Sequence, residues 1–418
     1  MNNSHPTSPS QNLQVRNSIY LLAGSLVTAG FGFIFWIIAA RLFDAPTVGI
    51  ATVLVSLSTL ISLLSLAGFD SSFVRFLPKS DNKNSYTNSG FWVTTILSTL
   101  LSVAFLAIAY TTTPELRPII SQPIVALLFT VLTIASSLNL LTNSVFLAHR
   151  QAKYVLIINV LFNIAKVTLP FAFIAYGAVG IFVAAGIAQA AGLAFSLYFM
   201  NKNYGFRLLF SFDRRALRQT FSYTSSVYIG SILNLAPPTI LPVLIAGQLG
   251  AASTAYYYMA FNIATIIFTI AYSATQSAFA ESSHNESHLR ASIYRSLKLS
   301  LILTLPAIIL TFILGRYILG IFGTDYAVAA TDLLMILSVS AVAVTAYSAL
   351  GAILKVAHDR TSFIVMNIAY AITIVGGSTL LMQEHGLSSI GYAWLGGNIV
   401  AIITGTLLHI RFRARMTR

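Results

Sequence analysis

NKNYGFRLLFSFDRRALRQT, residues Asn201–Thr220, lies near the midpoint of a chain of 418 residues. It carries Lys202, Arg207, Arg214, Arg215 and Arg218 against one acid, Asp213. Apolar sequence runs away from it in both directions. A short basic loop between long apolar arrays is a cytoplasmic loop of a polytopic membrane protein, because Lys and Arg are retained on the cytoplasmic side. The stretch therefore sets the topology and divides the chain into two halves. Most of its charges read as a solvated run.

Composition agrees. Hydrophobic residues make up 56% of the chain and charged residues 8%, with a mean hydropathy of +0.80. A soluble domain carries about a quarter charged residues, so several soluble domains are excluded. The net charge of +13 would suggest nucleic acid in a soluble protein. Here the basic residues fall in short loops between apolar spans, where topology and anionic headgroups account for them. No nucleic-acid partner is expected. The absence of cysteine excludes disulfides, a thiol nucleophile and thiolate metal ligands. The apolar run after the polar first sixteen residues is too long for a signal-peptide core and reads as a retained first helix.

A membrane-crossing helix needs about 20 apolar residues. Twelve stretches qualify: 17–40, 48–69, 88–112, 121–148, 154–176 and 178–200, then 221–248, 253–279, 296–320, 327–352, 361–382 and 388–410. The organisation expected is a cytoplasmic tail over 1–16, an N-terminal lobe of six helices over 17–200, a basic linker over 201–220, a C-terminal lobe of six helices over 221–410 and a basic tail over 411–418. With both termini in the cytoplasm, twenty basic residues fall inside and only Arg41, Arg117 and Arg316 outside, while Lys166 is left within a span. That asymmetry supports the helix count and the orientation together.

The halves look related. Ala148-His149 followed by Tyr154 and Asn159 recurs as Ala357-His358 followed by Phe363 and Asn367, and Ser18-Ile19-Tyr20 recurs as Ser226-Val227-Tyr228. The offset is 208–209 residues. Six helices per half implies that both insert the same way, a parallel repeat about an axis along the membrane normal with a site between the halves. The fold class expected is an all-α integral membrane protein of about 12 helices, two six-helix bundles around a central cavity.

No paired-carboxylate motif, phosphate-cradling glycine loop or His-rich metal spacing appears, so no enzyme is expected. Polar stripes inside the spans are more informative. Asn159, Asn163 and Lys166 stand at i, i+4 and i+7, on one helix face. Asn262, Thr265, Thr269, Tyr272 and Gln276 form a second stripe, and Ser136, Asn139 and Asn143 a third. Amides facing lipid are costly, so these faces meet other helices or a hydrated cavity. Interhelical hydrogen bonding is the plainer of the two readings. Lys166 is sharper: a mid-span Lys costs about 2.5–3.5 kcal/mol on insertion scales, and no acid lies within 121–148 or 154–176. It is expected to face a cavity, with a structural pairing to a carbonyl or amide as the alternative. Pro237, Pro238 and Pro242 interrupt the seventh span, as a moving kink or a static bend. Trp36, Trp92 and Trp394 lie toward span ends and read as interfacial anchors.

Two passages carry a family resemblance. They are Ala40-Arg41-Leu42-Phe43-Asp44-Ala45-Pro46-Thr47-Val48-Gly49, and Gly68-Phe69-Asp70-Ser71-Ser72-Phe73-Val74-Arg75-Phe76-Leu77-Pro78. Together they resemble the bacterial polysaccharide flippases of the Wzx type, within the multidrug/oligosaccharidyl-lipid/polysaccharide exporter superfamily. The resemblance is clearest over the first 80 residues; the 6+6 pattern extends it across the chain. It implies a transporter that flips an undecaprenyl-pyrophosphate-linked oligosaccharide across the cytoplasmic (inner) membrane for O-antigen, capsule or exopolysaccharide synthesis. A cationic cavity suits a pyrophosphate crossing a low-dielectric layer. By motif position the resemblance singles out Arg41 and Arg75. Lys166, Asn159, Asn163, Asn262 and Gln276 join them as substrate-facing candidates from the stripes.

No cofactor is expected; coupling to a cation gradient is left open, with the ion unassigned. Partners expected are the lipid-linked oligosaccharide and membrane lipids, with the polymerase and glycosyltransferases of the same route as candidates, and the chain is expected to act as a monomer. Three alternatives compete. A drug/cation antiporter of the superfamily usually has an acid within helix one, and 17–40 contains none. A lipid II flippase usually has fourteen helices. A polysaccharide polymerase would show a long external loop, and every external loop here is short.

Overall fold

The computed structural model describes residues 9–223, 225–282 and 289–416. Among these, twelve long helices follow one another: α1 Pro9–Leu42, α2 Ala45–Ser65, α3 Lys83–Thr112, α4 Pro123–Ala148, α5 Ala152–Thr168, α6 Gly177–Tyr204, α7 Ser225–Leu249, α8 Ala251–Ser282, α9 Leu289–Gly320, α10 Thr331–Val356, α11 Arg360–His385 and α12 Ser388–Met416. Eleven helices among the described residues are long and apolar enough to cross a membrane. The remaining one, α8, runs 32 residues, about 48 Å, and covers the expected span 253–279. Many large apolar side chains on these helices point outward, such as Leu26, Ile313, Ile372 and Leu380. An apolar exterior of this kind suits lipid, not water. The protein is an all-α, multi-pass membrane protein.

Local chemistry sets the ends. A link of only Phe43 and Asp44 turns α1 into α2, and Pro46 stands in the first turn of α2, where its missing N–H costs no helical bond. α3 begins five residues before the apolar run does, because Asn82 Oδ1 accepts from Ser85 N at 3.0 Å and caps a polar first turn. α1 begins at Pro9, before the apolar run that starts at 17. α5 stops at Thr168 and continues as 3-10 turns over Leu169–Ala172 and Ile174–Tyr176; Pro170 has no N–H for the carbonyl of Lys166. α7 runs on through Pro237, Pro238 and Pro242.

The chain folds as two compact units. One comprises the chain up to Ala39, Leu57–Thr111 and Leu116–Ser225; the other comprises Ala40–Ser56, Thr112–Glu115 and the chain from Ser226 on. In the first, α6 packs on α4 and α5; in the second, α12 packs on α10 and α11, and α8 packs on α9 and α10. The same relation between the fourth, fifth and sixth helices thus recurs in each unit. The first unit closes at its basic end around Phe69, Phe73, Tyr86, Phe91, Phe146, Met200 and Phe206. In the second, α2 meets α8 backbone to backbone: a Cβ at Gly49 would lie 1.7 Å from the carbonyl oxygen of Ala251.

One expectation holds here and one is corrected. The five basic residues of the central stretch are exposed, as a solvated run of charge requires, while Phe206 and Ala216 between them are buried and Thr220 Oγ1 donates to Ser72 Oγ at 2.7 Å. The tryptophans are not three interfacial anchors. Trp36 and Trp394 are each 3% exposed, Trp36 edge-on to Phe35 and Trp394 among Phe261, Phe268 and Tyr370. Position near a span end does not say which way a ring points. Trp92, half-buried, comes closest to the expected role.

Candidate functional site

The first unit brings Asn159, Asn163 and Lys166 together, as the helical spacing requires, and turns all three toward α1. A Cβ at Gly24 would stand 3.2 Å from Asn159 Nδ2. Asn163 Nδ2 donates to the carbonyl of Asn159 at 2.7 Å and to Thr28 Oγ1 at 3.3 Å. Lys166 Nζ lies 4.7 Å from the centroid of the Phe35 ring, a cation held against an aromatic face. Among the described residues no carboxylate pairs with Lys166. Asn163 is buried, and its Oδ1 has no hydrogen-bond partner among the described residues. The α1–α5 seam therefore holds one cation and one unsatisfied acceptor. The asparagines serve helix contact there, while the charge of Lys166 is left without an opposite charge.

Behind this seam, hydroxyls and amides tie the other helices. Thr133 Oγ1 donates to Ser58 at 3.0 Å, Ser137 Oγ to Ser62 at 3.2 Å, and Asn139 Nδ2 to Gln189 Oε1 at 2.7 Å. These are interhelical bonds of the ordinary kind in membranes.

The motif cations are placed differently. Arg41 directs Nε to the carbonyl of Ile321 at 2.7 Å and Nη2 to that of Gly320 at 3.0 Å. Its fork closes the C-terminus of α9, whose last carbonyls lack helical donors. Arg75 is exposed beside Phe76, 5.4 Å from the ring centroid. Asn262 Nδ2 bonds the carbonyl of Tyr258 on its own helix, and Thr265 and Thr269 do likewise. Gln276 lies on α8, but its side chain falls outside the described residues.

The second unit contains a network that the spacing argument missed. Asn234 Nδ2 donates to Tyr347 Oη at 3.0 Å, and Tyr347 Oη donates to Asn367 Oδ1 at 2.7 Å. Three helices, α7, α10 and α11, thus meet through one set of amides and a phenol. Tyr347 stacks on Tyr370 at 4.9 Å. Tyr347 was legible in principle: it stands 208 residues after Asn139, the interhelical donor of the first unit.

The family model described as polysaccharide biosynthesis protein matches residues 14–280, and a second model, MatE, matches residues 238–378. No curated protein matches the chain. Among solved structures, the lipid II flippase MurJ in its inward closed conformation is similar at a TM-score of 0.69 and 12% identity, covering 95% of this chain and 87% of that one. An inward-facing multidrug resistance MATE family transporter of the MOP superfamily gives 0.66 at 18% identity, with 95% of each chain covered. A MOP superfamily transporter from Pyrococcus furiosus, described as having a binding pocket of reverse polarity, gives 0.59 at 15% identity, covering 97% of this chain and 96% of that one. At these identities the likeness is one of fold.

Proposed function

Since this chain belongs to the polysaccharide biosynthesis protein family, we propose that it flips a polyprenyl-pyrophosphate-linked oligosaccharide across the cytoplasmic membrane. Its family and its fold are those of membrane transporters and flippases, not of an enzyme. One observation supports the cargo's charge. Lys166 stands in the α1–α5 seam without an ion-pair partner among the described residues, and every acid among the described residues lies in a loop, a short helical turn or the terminal turn of a helix. A transport path with a cation and no mid-span carboxylate favours an anion over a cationic drug. The remaining parts of this reading are a chain with both termini in the cytoplasm, no bound cofactor, and the polymerase and glycosyltransferases of the same route as neighbours.

The test is transport by the purified chain in proteoliposomes. A fluorescent polyprenyl-pyrophosphate oligosaccharide added on one side should become accessible on the other. Lys166→Arg should retain transport and Lys166→Ala should lose about tenfold or more, as expected if one charge–phosphate contact of about 1.5–3 kcal/mol is removed. Full transport by a well-folded Lys166→Ala protein, or transport of cationic dyes alone, would overturn the proposal.

A further inference from the structure

Residues 205–213 form no regular element, yet side chains bond their backbone at Phe206, Arg207, Leu209 and Asp213. Gly205, in the left-handed region at φ 63°, ends α6, and Asn201 Nδ2 donates to the carbonyl of Phe206 at 2.9 Å. Arg207 N donates to Asn84 Oδ1, Asn88 Nδ2 to the carbonyl of Arg207, and Leu209 N to Asn88 Oδ1, at 2.9, 2.9 and 3.0 Å. Trp92 Nε1 donates to the carbonyl of Leu209 at 2.9 Å, and Asp213 N donates to Ser89 Oγ at 2.6 Å. The partners advance along α3 from Asn84 to Trp92 and return to Ser89. The strap therefore dips about 12 Å along α3 and comes back.

Its tip is apolar and uncovered. Leu208 is 58% exposed, Leu209 52%, Phe210 77% and Phe212 43%, and the Phe210 ring rests edge-on against Trp92 at 5.1 Å. Arg207, Arg214 and Arg218 flank the tip, all exposed. Arg215 is occupied with Asp81 at 3.5 Å. On the helix Arg214–Tyr223, Arg214, Arg218 and the exposed Phe221 share one face, while Ala216 and Thr220 turn inward.

Three features point to one partner. Irregular backbone close to the membrane is tolerated where protein supplies partners, and side chains supply them at Phe206, Arg207, Leu209 and Asp213. Tryptophan prefers the level of the headgroups. An apolar tip within a basic surround has the chemistry of a segment lying in the interface of an anionic leaflet. We propose that Leu208–Phe212 is an interfacial wedge. It sits just beneath the phosphates, with Arg207, Arg214 and Arg218 on the headgroups of anionic phospholipids. The segment between the halves is thereby a lipid-binding element, not a tether in water.

The chain has no cysteine, so spin labels can be placed singly. The full chain carrying Phe210→Cys or Leu208→Cys, each labelled, is placed in nanodiscs of phosphatidylcholine and phosphatidylglycerol. Asp81→Cys serves as the aqueous reference and Ile313→Cys as the lipid reference. Labels at 208 and 210 should collide with oxygen as the Ile313 label does and be shielded from a nickel chelate. Arg207→Gln, Arg214→Gln and Arg218→Gln should each lower the preference for phosphatidylglycerol by up to about fivefold. Nickel accessibility at both positions equal to that at Asp81 overturns the wedge. Shielding that appears only when membrane proteins are added would identify a protein-facing surface instead, and an unchanged lipid preference in all three glutamine variants removes the anionic partner.

Discussion

The corner between α4 and α5 and the corner between α10 and α11 are built on one backbone and fastened by different side chains. In the first, His149 N reaches the carbonyl of Val145, Arg150 N that of Leu147 and Gln151 N that of Phe146. In the second, Ala357 N reaches Ile353, His358 N reaches Lys355 and Asp359 N reaches Leu354. Every donor and acceptor is displaced by 208 residues. Arg150 and His358 occupy the left-handed region at φ 55° and 53°. The corners therefore align at 208, and the pairing of His149 with His358 suggested by residue type is one position out. Backbone geometry has kept the register while the side chains diverged. In the first corner the His149 ring stacks on Tyr204 at 3.9 Å, and Asn17 Nδ2 donates to the carbonyl of Arg150 at 3.0 Å. In the second, Asp359 Oδ1 caps α11 by accepting from Ser362 N at 3.1 Å, and Oδ2 accepts from His409 Nδ1 at 3.0 Å.

The difference predicts unequal responses. Asp359→Ala uncaps α11 and strands the partly buried His409, a loss of about 2–4 kcal/mol. Gln151→Ala, at the matching position, should cost under about 0.5 kcal/mol. Thermal unfolding of the detergent-purified chain reads both, and equal losses would break the comparison. The pair also makes the second corner acid-sensitive. Burial alone would raise the Asp359 carboxyl, but hydrogen bonds from His409 and Ser362 outweigh it and hold the pKa below the usual range. A depressed carboxylate stabilises the fold above its unfolded pKa of about 3.9, and that contribution disappears as pH falls through the lower folded value. Asp359→Asn should therefore flatten the acid limb of a melting-point profile, and Gln151→Glu should not reproduce the effect at the first corner.

A smaller effect sharpens the aromatic side. Tyr204→Ala removes the stack and its burial, about 1–3 kcal/mol. Tyr204→Phe keeps the ring and deletes a hydroxyl that is buried without a partner among the described residues, so it should cost nothing measurable. The smallest effect has the opposite sign and unites the corners. Arg150→Gly and His358→Gly each relieve a left-handed non-glycine residue and should raise stability by up to about 1 kcal/mol. A gain at only one of them would show that the shared backbone conceals different strain.

These contrasts also mark what the sequence could disclose. Twelve apolar runs name twelve helices because lipid imposes length and polarity directly on sequence. The stripe Asn159, Asn163, Lys166 was legible for the same reason: helical spacing fixes a face. Three features were not legible. Arg41 closes a helix end some 280 residues away, and no local pattern encodes that meeting. The charges of the central stretch were legible as solvated, but the strap over α3 was not, because its anchors, Asn84, Asn88 and Trp92, are remote polar side chains bonding to backbone, a pairing without periodicity. Tyr347 joins two amides across helices, and only its offset from Asn139 hinted at that role.

Gly49 has an evolutionary corollary. With the Ala251 carbonyl where a methyl group would be, the alphabet at this position has a single letter. In a saturation library it should appear as intolerant as any transport residue, alanine included, while touching no cargo. A map of invariance drawn over this protein would thus place a bright spot at a site whose only task is to be absent.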